Sequence, residues 1–346
     1  MEPGYRTLLA SGELAERVER LWSLLSSCTV CPRDCGNDRL AGVLASCASG
    51  ADPVVSSHTP HFGEEPGLSG TRGAGNIFFG NCNLRCVYCQ NYQISQDYHA
   101  QKRFTVSVER LAEMMLELQD RGCHNIGLVS PTHYAPQAAK AILLAARRGL
   151  SLPIVYNTNA YDSVEVLRLL DGVVDVYLPD FKYADDAAGW LYSKVPDYVS
   201  RSRAALIEMY RQMGPRLIFS GEGLLQRGLL VRMLVLPDNA AGIADSLAWI
   251  AETLSPRVAI SLMAQYYPIH RAQKDARYEQ LNRSITAAEW EEALAAMAAL
   301  SFEQGYQQEL ETANRYYRPD FNDREKPFRD IRDFERETGP AEVVRP

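Results

Sequence analysis

Cys82, Cys86 and Cys89 stand close together in the run GNCNLRCVYCQN. The spacing C-x3-C-x2-C offers three thiolates to a cubane iron–sulfur cluster. The two-cluster ferredoxin run and the zinc patterns instead bring a fourth protein ligand and other spacings. Three ligands leave one iron with an open position, and an open iron can hold a small molecule. The competing reading, a zinc knuckle or three buried structural thiols, fits less well, because cysteines spaced this tightly in a reduced protein rarely lack a ligand role.

A second group, CTVCPRDCGNDRLAGVLASC, places Cys28, Cys31, Cys35 and Cys47 at C-x2-C-x3-C-x11-C. Four thiolates this close share a metal, and either an auxiliary 4Fe-4S cluster or structural zinc fits. Zinc would staple a small subdomain that lacks a core of its own. A cluster could relay an electron or hold substrate, and a third version keeps three ligands and frees one thiol as a hydrogen-atom donor. The eighth cysteine, Cys123, opens a strand and reads as a small buried hydrophobe.

These sites need a scaffold. The chain has 346 residues, 46% of them hydrophobic, enough for one large domain with appendages. No apolar run approaches the roughly 20 residues that span a bilayer, and the first residues read as an amphipathic helix, not a signal peptide. A reduced, cytoplasmic protein is expected, with no membrane partner. A net charge of -7 and six scattered histidines leave no basic stripe for nucleic acid.

From residue 76 onward, short β-branched and aromatic runs alternate with amphipathic stretches, which predicts strand-helix units around a parallel sheet. Strands are expected at 75–79, 125–130, 153–158, 174–180, 229–237 and 257–263. Helices are expected at 106–121, 135–148, 163–170, 201–213 and 242–254. In such an architecture the chemistry collects at the C-terminal ends of the strands. The charged run at residues 318–340 is expected to wrap the surface or fray.

Beyond the cysteine spacing, the aromatic Tyr88 just before the last thiol resembles the cluster-binding loop of the radical S-adenosylmethionine (SAM) superfamily. Within it, the chain resembles the branch similar to pyruvate formate-lyase activating enzymes, in a long form with an N-terminal four-cysteine motif. The resemblance is carried by HFGEEP at 61–66, IFFGNCNLRCVYCQN at 77–91, PTHY at 131–134, YN at 156–157, YLPDFKY at 177–183 and LVLP at 234–237. It implies an α/β fold, a partial (β/α)6 radical SAM barrel over 76–264. The N-terminal metal-binding extension would be 1–75 and the C-terminal extension 265–346. It implies a 4Fe-4S cluster on Cys82, Cys86 and Cys89, SAM on the open iron, and an electron donor such as flavodoxin or ferredoxin.

By the same resemblance, Asp180 and Lys182 would hold the SAM ribose and carboxylate. Where the family carries a Gly-Gly-Glu-type stretch, this chain has Ser130 and Thr132, so backbone carbonyls and the Thr132 hydroxyl would serve the methionyl amine. Asn157, Asn159, Gln90 and Gln265 complete the expected SAM neighbourhood. Arg232, charged inside an apolar strand, would pair either with the SAM carboxylate or with a neighbouring strand. His58, His61, Glu64 and Glu65 read as loop hydrogen bonding or as a polar lid with an acid or base near substrate. Tyr266, Tyr267 and His270 follow the sixth strand, where this fold closes over SAM.

Three functions are in view. One is hydrogen abstraction from a C–H bond of a small-molecule substrate, such as epimerisation of a sugar or natural-product carbon. The alternative is activation of a glycyl-radical enzyme by abstraction from a backbone glycine. The third, a non-enzymatic metal-binding scaffold, is disfavoured by Asp180, Lys182 and the open iron position.

Overall fold

The computed structural model describes residues 1–310, 319–328 and 342–344. Ten strands form one sheet: β1 (Val55–His61), β2 (Ala74–Phe79), β3 (Ile126–Val129), β4 (Ile154–Thr158), β5 (Val176–Pro179), β6 (Ile218–Phe219), β7 (Leu225–Leu234), β8 (Ala259–Met263), β9 (Gly305–Gln307) and β10 (Glu342–Val344). Their order is β1-β2-β3-β4-β5-β7-β8-β9-β10, with β6 paired to β7 off that path. The strands β2, β3, β4, β5, β7, β8 and β9 run parallel. The sheet does not close on itself, so the α/β fold is an open, partial barrel, as expected.

The six expected runs are the six central strands. They are β-branched and aromatic because both of their faces are covered, one by helices and one by the barrel lumen. The expected helices are present as Val108–Asp120, Ala135–Arg147, Val164–Leu169, Tyr198–Met213 and Ile243–Thr253. The N-terminal amphipathic run is two helices, Gly4–Ser11 and Glu13–Ser23, broken at Gly12, whose φ of 85° suits glycine. Among the described residues no helix is long and apolar enough to cross a membrane.

Parallel register sorts the lumen-facing residues into layers. Asn76 lies beside Gly127, Gly127 beside Val155, and Val155 beside Val176. The next layer holds Phe78, Val129, Asn157 and Leu178. Above it Asp180 bridges to Arg232, which lies beside Ser261. Leu68, Val155, Val176, Leu178, Leu225 and Leu230 pack together inside the barrel, while the loops that carry chemistry leave the upper ends of the strands.

Strands β1, β6, β9 and β10 are absent from the sequence expectation. β1 pairs antiparallel with β2, Thr59 opposite Asn76. Its sequence, VSSHTPH, hides its nature because its partners are polar. His58 meets Glu117 on the helical side. On the lumen side the Ser57 hydroxyl donates to the Arg324 carbonyl and the Thr59 hydroxyl to the Glu325 carbonyl. Residues 319–328 therefore lie on the inner face of β1 and β2, where Phe321 and Phe328 pack on Phe78. The remainder of the 318–340 run lies outside the described residues.

Candidate active site

The loop with three cysteines leaves the C-terminal end of β2 and is bonded from all sides. The Leu84 N–H and the Asn159 side-chain amide reach the Cys82 sulfur at 3.4 and 3.6 Å. The Ser193 hydroxyl donates to the Cys86 sulfur at 2.9 Å, and Ser95 sits 3.3 Å from that of Cys89. Burial pushes all three thiols above their ordinary range, Cys89 to about 12; neighbouring thiols raise Cys82 and Cys89 further, and Asp180 raises Cys86. Among the described residues no three His, Cys, Asp or Glu side chains converge on the position of a single ion. A cubane ties each thiolate to a different iron, so its ligands must face a shared volume and not one point. Three mutually interacting thiols on one loop, with donors aimed at their sulfurs, fit that group.

Lys182 and Asp180 leave the end of β5 and pair at 2.8 Å. Burial opposes the charge on Lys182, but Asp180 and the nearby Cys86 more than offset this and hold it firmly protonated. The cation thus stands by the cluster loop, and Tyr198 fixes the turn by accepting from the Lys182 N–H and donating to the Asp180 carbonyl. The Gln90 amide donates to the Gln265 carbonyl at 3.1 Å, joining the loop to the end of β8. Nearby, His270 stacks on Tyr92 at 4.8 Å, and the Tyr266 hydroxyl is buried against the Leu281 carbonyl.

Other expected contacts to SAM fall elsewhere. Asn159 donates to Asn83 at 2.8 Å as well as to Cys82, so it braces the cluster loop. Tyr88 is buried, its hydroxyl 2.7 Å from that of Tyr183, which is equally close to Ser193. The Thr132 hydroxyl does not face the lumen: it sits 2.9 Å from Thr158 in a buried group with Asp162 and Tyr156. The Asp162 carboxyl is pushed up to about 6 by burial. Ser130 takes a φ of 57° and its N–H donates to the Asn157 carbonyl.

Arg232 settles on the salt-bridge alternative. Its guanidinium donates to Glu65 at 2.8 Å and to Glu64, and it lies beside Asp180. Glu64 also accepts from Asn76 at 2.6 Å. Burial would raise the Glu64 carboxyl, yet Arg232, His61 and Asn76 hold it at about 2. The HFGEEP segment is therefore no outer lid; it plugs the lumen with two carboxylates around one buried arginine. Glu64, Asn76, Gly127 and Asn157 line a lumen cavity of about 190 Å3, open solvent included.

Cys28, Cys31, Cys35 and Cys47 line a second cavity together with Arg39 and His133. Nothing in the spacing of PTHY shows that His133 would face the N-terminal segment. Cys123 is buried at the start of β3. None of the eight cysteines forms a disulfide. Ser193, Ser95 and Asn83 leave no mark in the sequence, because a hydroxyl or amide that bonds to sulfur carries no motif of its own.

Residues 76–235, which span β2 to the end of β7 and include the cluster loop, Asp180, Lys182 and Arg232, match the Radical SAM superfamily. The chain thus contains a radical SAM domain. It is also 30% identical over 243 residues to the uncharacterized protein MJ0674 of Methanocaldococcus jannaschii. That likeness covers 68% of this chain and 64% of the relative, slightly under two thirds of the relative's length.

Proposed function

We propose that the protein is a radical SAM enzyme that abstracts a hydrogen atom from a C–H bond of a small-molecule substrate. The observation that carries this reading is the three-thiol loop at the mouth of the barrel with Lys182 and Asp180 beside it. When bound there, a 4Fe-4S cluster with SAM would supply the 5'-deoxyadenosyl radical. Around that group, Ser193, Ser95 and Asn159 hold the sulfurs, Lys182 offers a cation to a carboxylate, and Asp180 offers an acceptor to hydroxyls. A one-electron donor such as flavodoxin or ferredoxin completes the reaction.

The small-molecule reading is supported by residues 319–328. They cover the inner face of β1 and β2, where Phe321 and Phe328 pack on Phe78 and reduce the room for a large partner's loop. A redox-neutral outcome, such as epimerisation of a sugar or natural-product carbon, is one form that this chemistry takes. Activation of a glycyl-radical enzyme is the alternative, carried by the motif resemblance, and it would require that segment to move aside.

The test is 5'-deoxyadenosine formation after anaerobic reconstitution with SAM and a reductant. Cys82→Ala, Cys86→Ala and Cys89→Ala should each abolish it, because two thiolates do not hold a cluster with an open iron. Wild-type yield from any one of them would sink the radical SAM reading. Deuterium transferred from a labelled small molecule into 5'-deoxyadenosine supports the first substrate class, and deuterium arriving from a protein glycine supports the second.

A further inference from the structure

We propose that Cys28, Cys31, Cys35 and Cys47 hold a 4Fe-4S cluster and not zinc, and that the electron needed at the first site enters the protein there. Cys28, Cys31, Cys35 and Cys47 all line one cavity, together with Arg39 and His133. Four thiolates can hold zinc or a cubane, but zinc has no redox chemistry, whereas a cubane carries an electron. The links from this cavity to the first cysteine loop, described below, suit the group that can pass one on.

His133 supplies an independent sign of a missing occupant. Its ring is 1% exposed and lines the same cavity. Its Nε2 lies 2.9 Å from the Gly80 carbonyl, an acceptor, so that nitrogen carries the proton. Burial keeps the imidazole neutral, lowering its pKa to about 3. The lone pair of Nδ1 is then left buried, with no hydrogen-bond partner among the described residues. A buried acceptor left unpaired is costly unless something meets it. An iron–sulfur group bonded through an ordered water, or meeting the ring directly, would do so.

The two thiol groups share a wall. His133 binds Gly80, two residues before Cys82. Arg33, two residues after Cys31, donates to the Asn83 carbonyl, next to Cys82. The Ala48 carbonyl, next to Cys47, accepts from Asn81 on the other side of Cys82. Three short hydrogen-bonded paths therefore connect the quartet to the cluster loop. The quartet also faces outward: Cys35 is partly exposed, and Leu40, Val43 and Leu44 of the loop before Cys47 are exposed. The step is a simple one. A reduced carrier of the flavodoxin or ferredoxin class loses one electron, the quartet cluster takes it up and passes it to the first cluster, and no bond or proton changes place.

The relay rests on the radical SAM reading, whereas the identity of the metal does not. Reconstituted wild-type protein should carry about eight irons, and a Cys28→Ser/Cys31→Ser variant about four. About four irons with one zinc in the wild type, or an iron content unaffected by the variant, would overturn the cluster. For the relay, 5'-deoxyadenosine formation driven by reduced flavodoxin is compared with formation driven by dithionite, which is small enough to reach either site. The flavodoxin-to-dithionite ratio should fall by about tenfold or more in the variant, and an unchanged ratio would overturn the relay. Should the variant not fold, the electron paramagnetic resonance spectrum of doubly reduced wild type decides: two coupled spins support the relay, and two independent ones refute it. Wild type with eight irons that cleaves no SAM under either reductant would remove the radical SAM reading and the relay together while keeping the cluster.

Discussion

At the scale of single residues, the pair Asp180 and Lys182 is where SAM affinity should be separable from cluster assembly. Neither touches a cysteine sulfur through a hydrogen bond, yet both stand beside Cys86. Asp180→Ala and Lys182→Ala should each weaken SAM binding by about 1.5–3 kcal/mol, the range for hydrogen bonds to charged groups. The cluster's visible absorption should survive. Equilibrium binding on reconstituted protein measures this, and unchanged affinity in both variants would reduce the pair to a structural ion pair. The cysteines were legible because metal coordination fixes their spacing in sequence. Thr132 and Arg232 were harder. A strand residue's type does not reveal which of its two faces it occupies when both are buried, so Arg232 is placed only by its pairing with Glu64 and Glu65, and Thr132, in the turn after β3, only by its contact with Thr158.

At the scale of elements, β3 depends on a missing side chain. A Cβ at Gly127 would lie 2.1 Å from the Asn76 side-chain oxygen, so Asn76 can reach Glu64 across the lumen only because its neighbour has none. Gly127→Ala should cost about 1–3 kcal/mol, the usual range for overpacking. Denaturation midpoints of the two proteins measure it, with Asn76→Ala/Gly127→Ala expected to recover part of the loss. A Gly127→Ala protein as stable as wild type would mean that Asn76 has room to turn away. The six central strands and five of the helices could be read from periodicity because each buries a continuous apolar face. The polar strand β1 could not. Helix Ala287–Ala299 did carry a signal: Thr286 and Glu289 form a capping box, and the Thr-x-x-Glu spacing is visible in the sequence.

At the scale of the whole molecule, residues 319–328 tie a late segment of the chain to its first strand. Arg324 donates to the carbonyls of Val55 and Ser56 and lies over the Phe104 ring, while Phe321 and Phe328 anchor the segment on either side. In native protein trypsin should cut slowly after Arg324. Phe321→Ala should speed that cut by about tenfold or more, since loss of a buried phenyl costs on the order of 3 kcal/mol. Equal rates in the two proteins would show that the aromatic packing does not hold the segment.

The same segment is tied to the short helix that follows the cysteine loop, the Phe321 N–H donating to Gln93 across 228 positions of sequence. It follows strands β1 to β9 in the chain, and a polypeptide is made from its N-terminus. During synthesis the strands and the cysteine loop can therefore form before residues 319–328 are made. The order of the sequence thus leaves that loop available to iron and sulfide before Phe321 and Phe328 dock on Phe78.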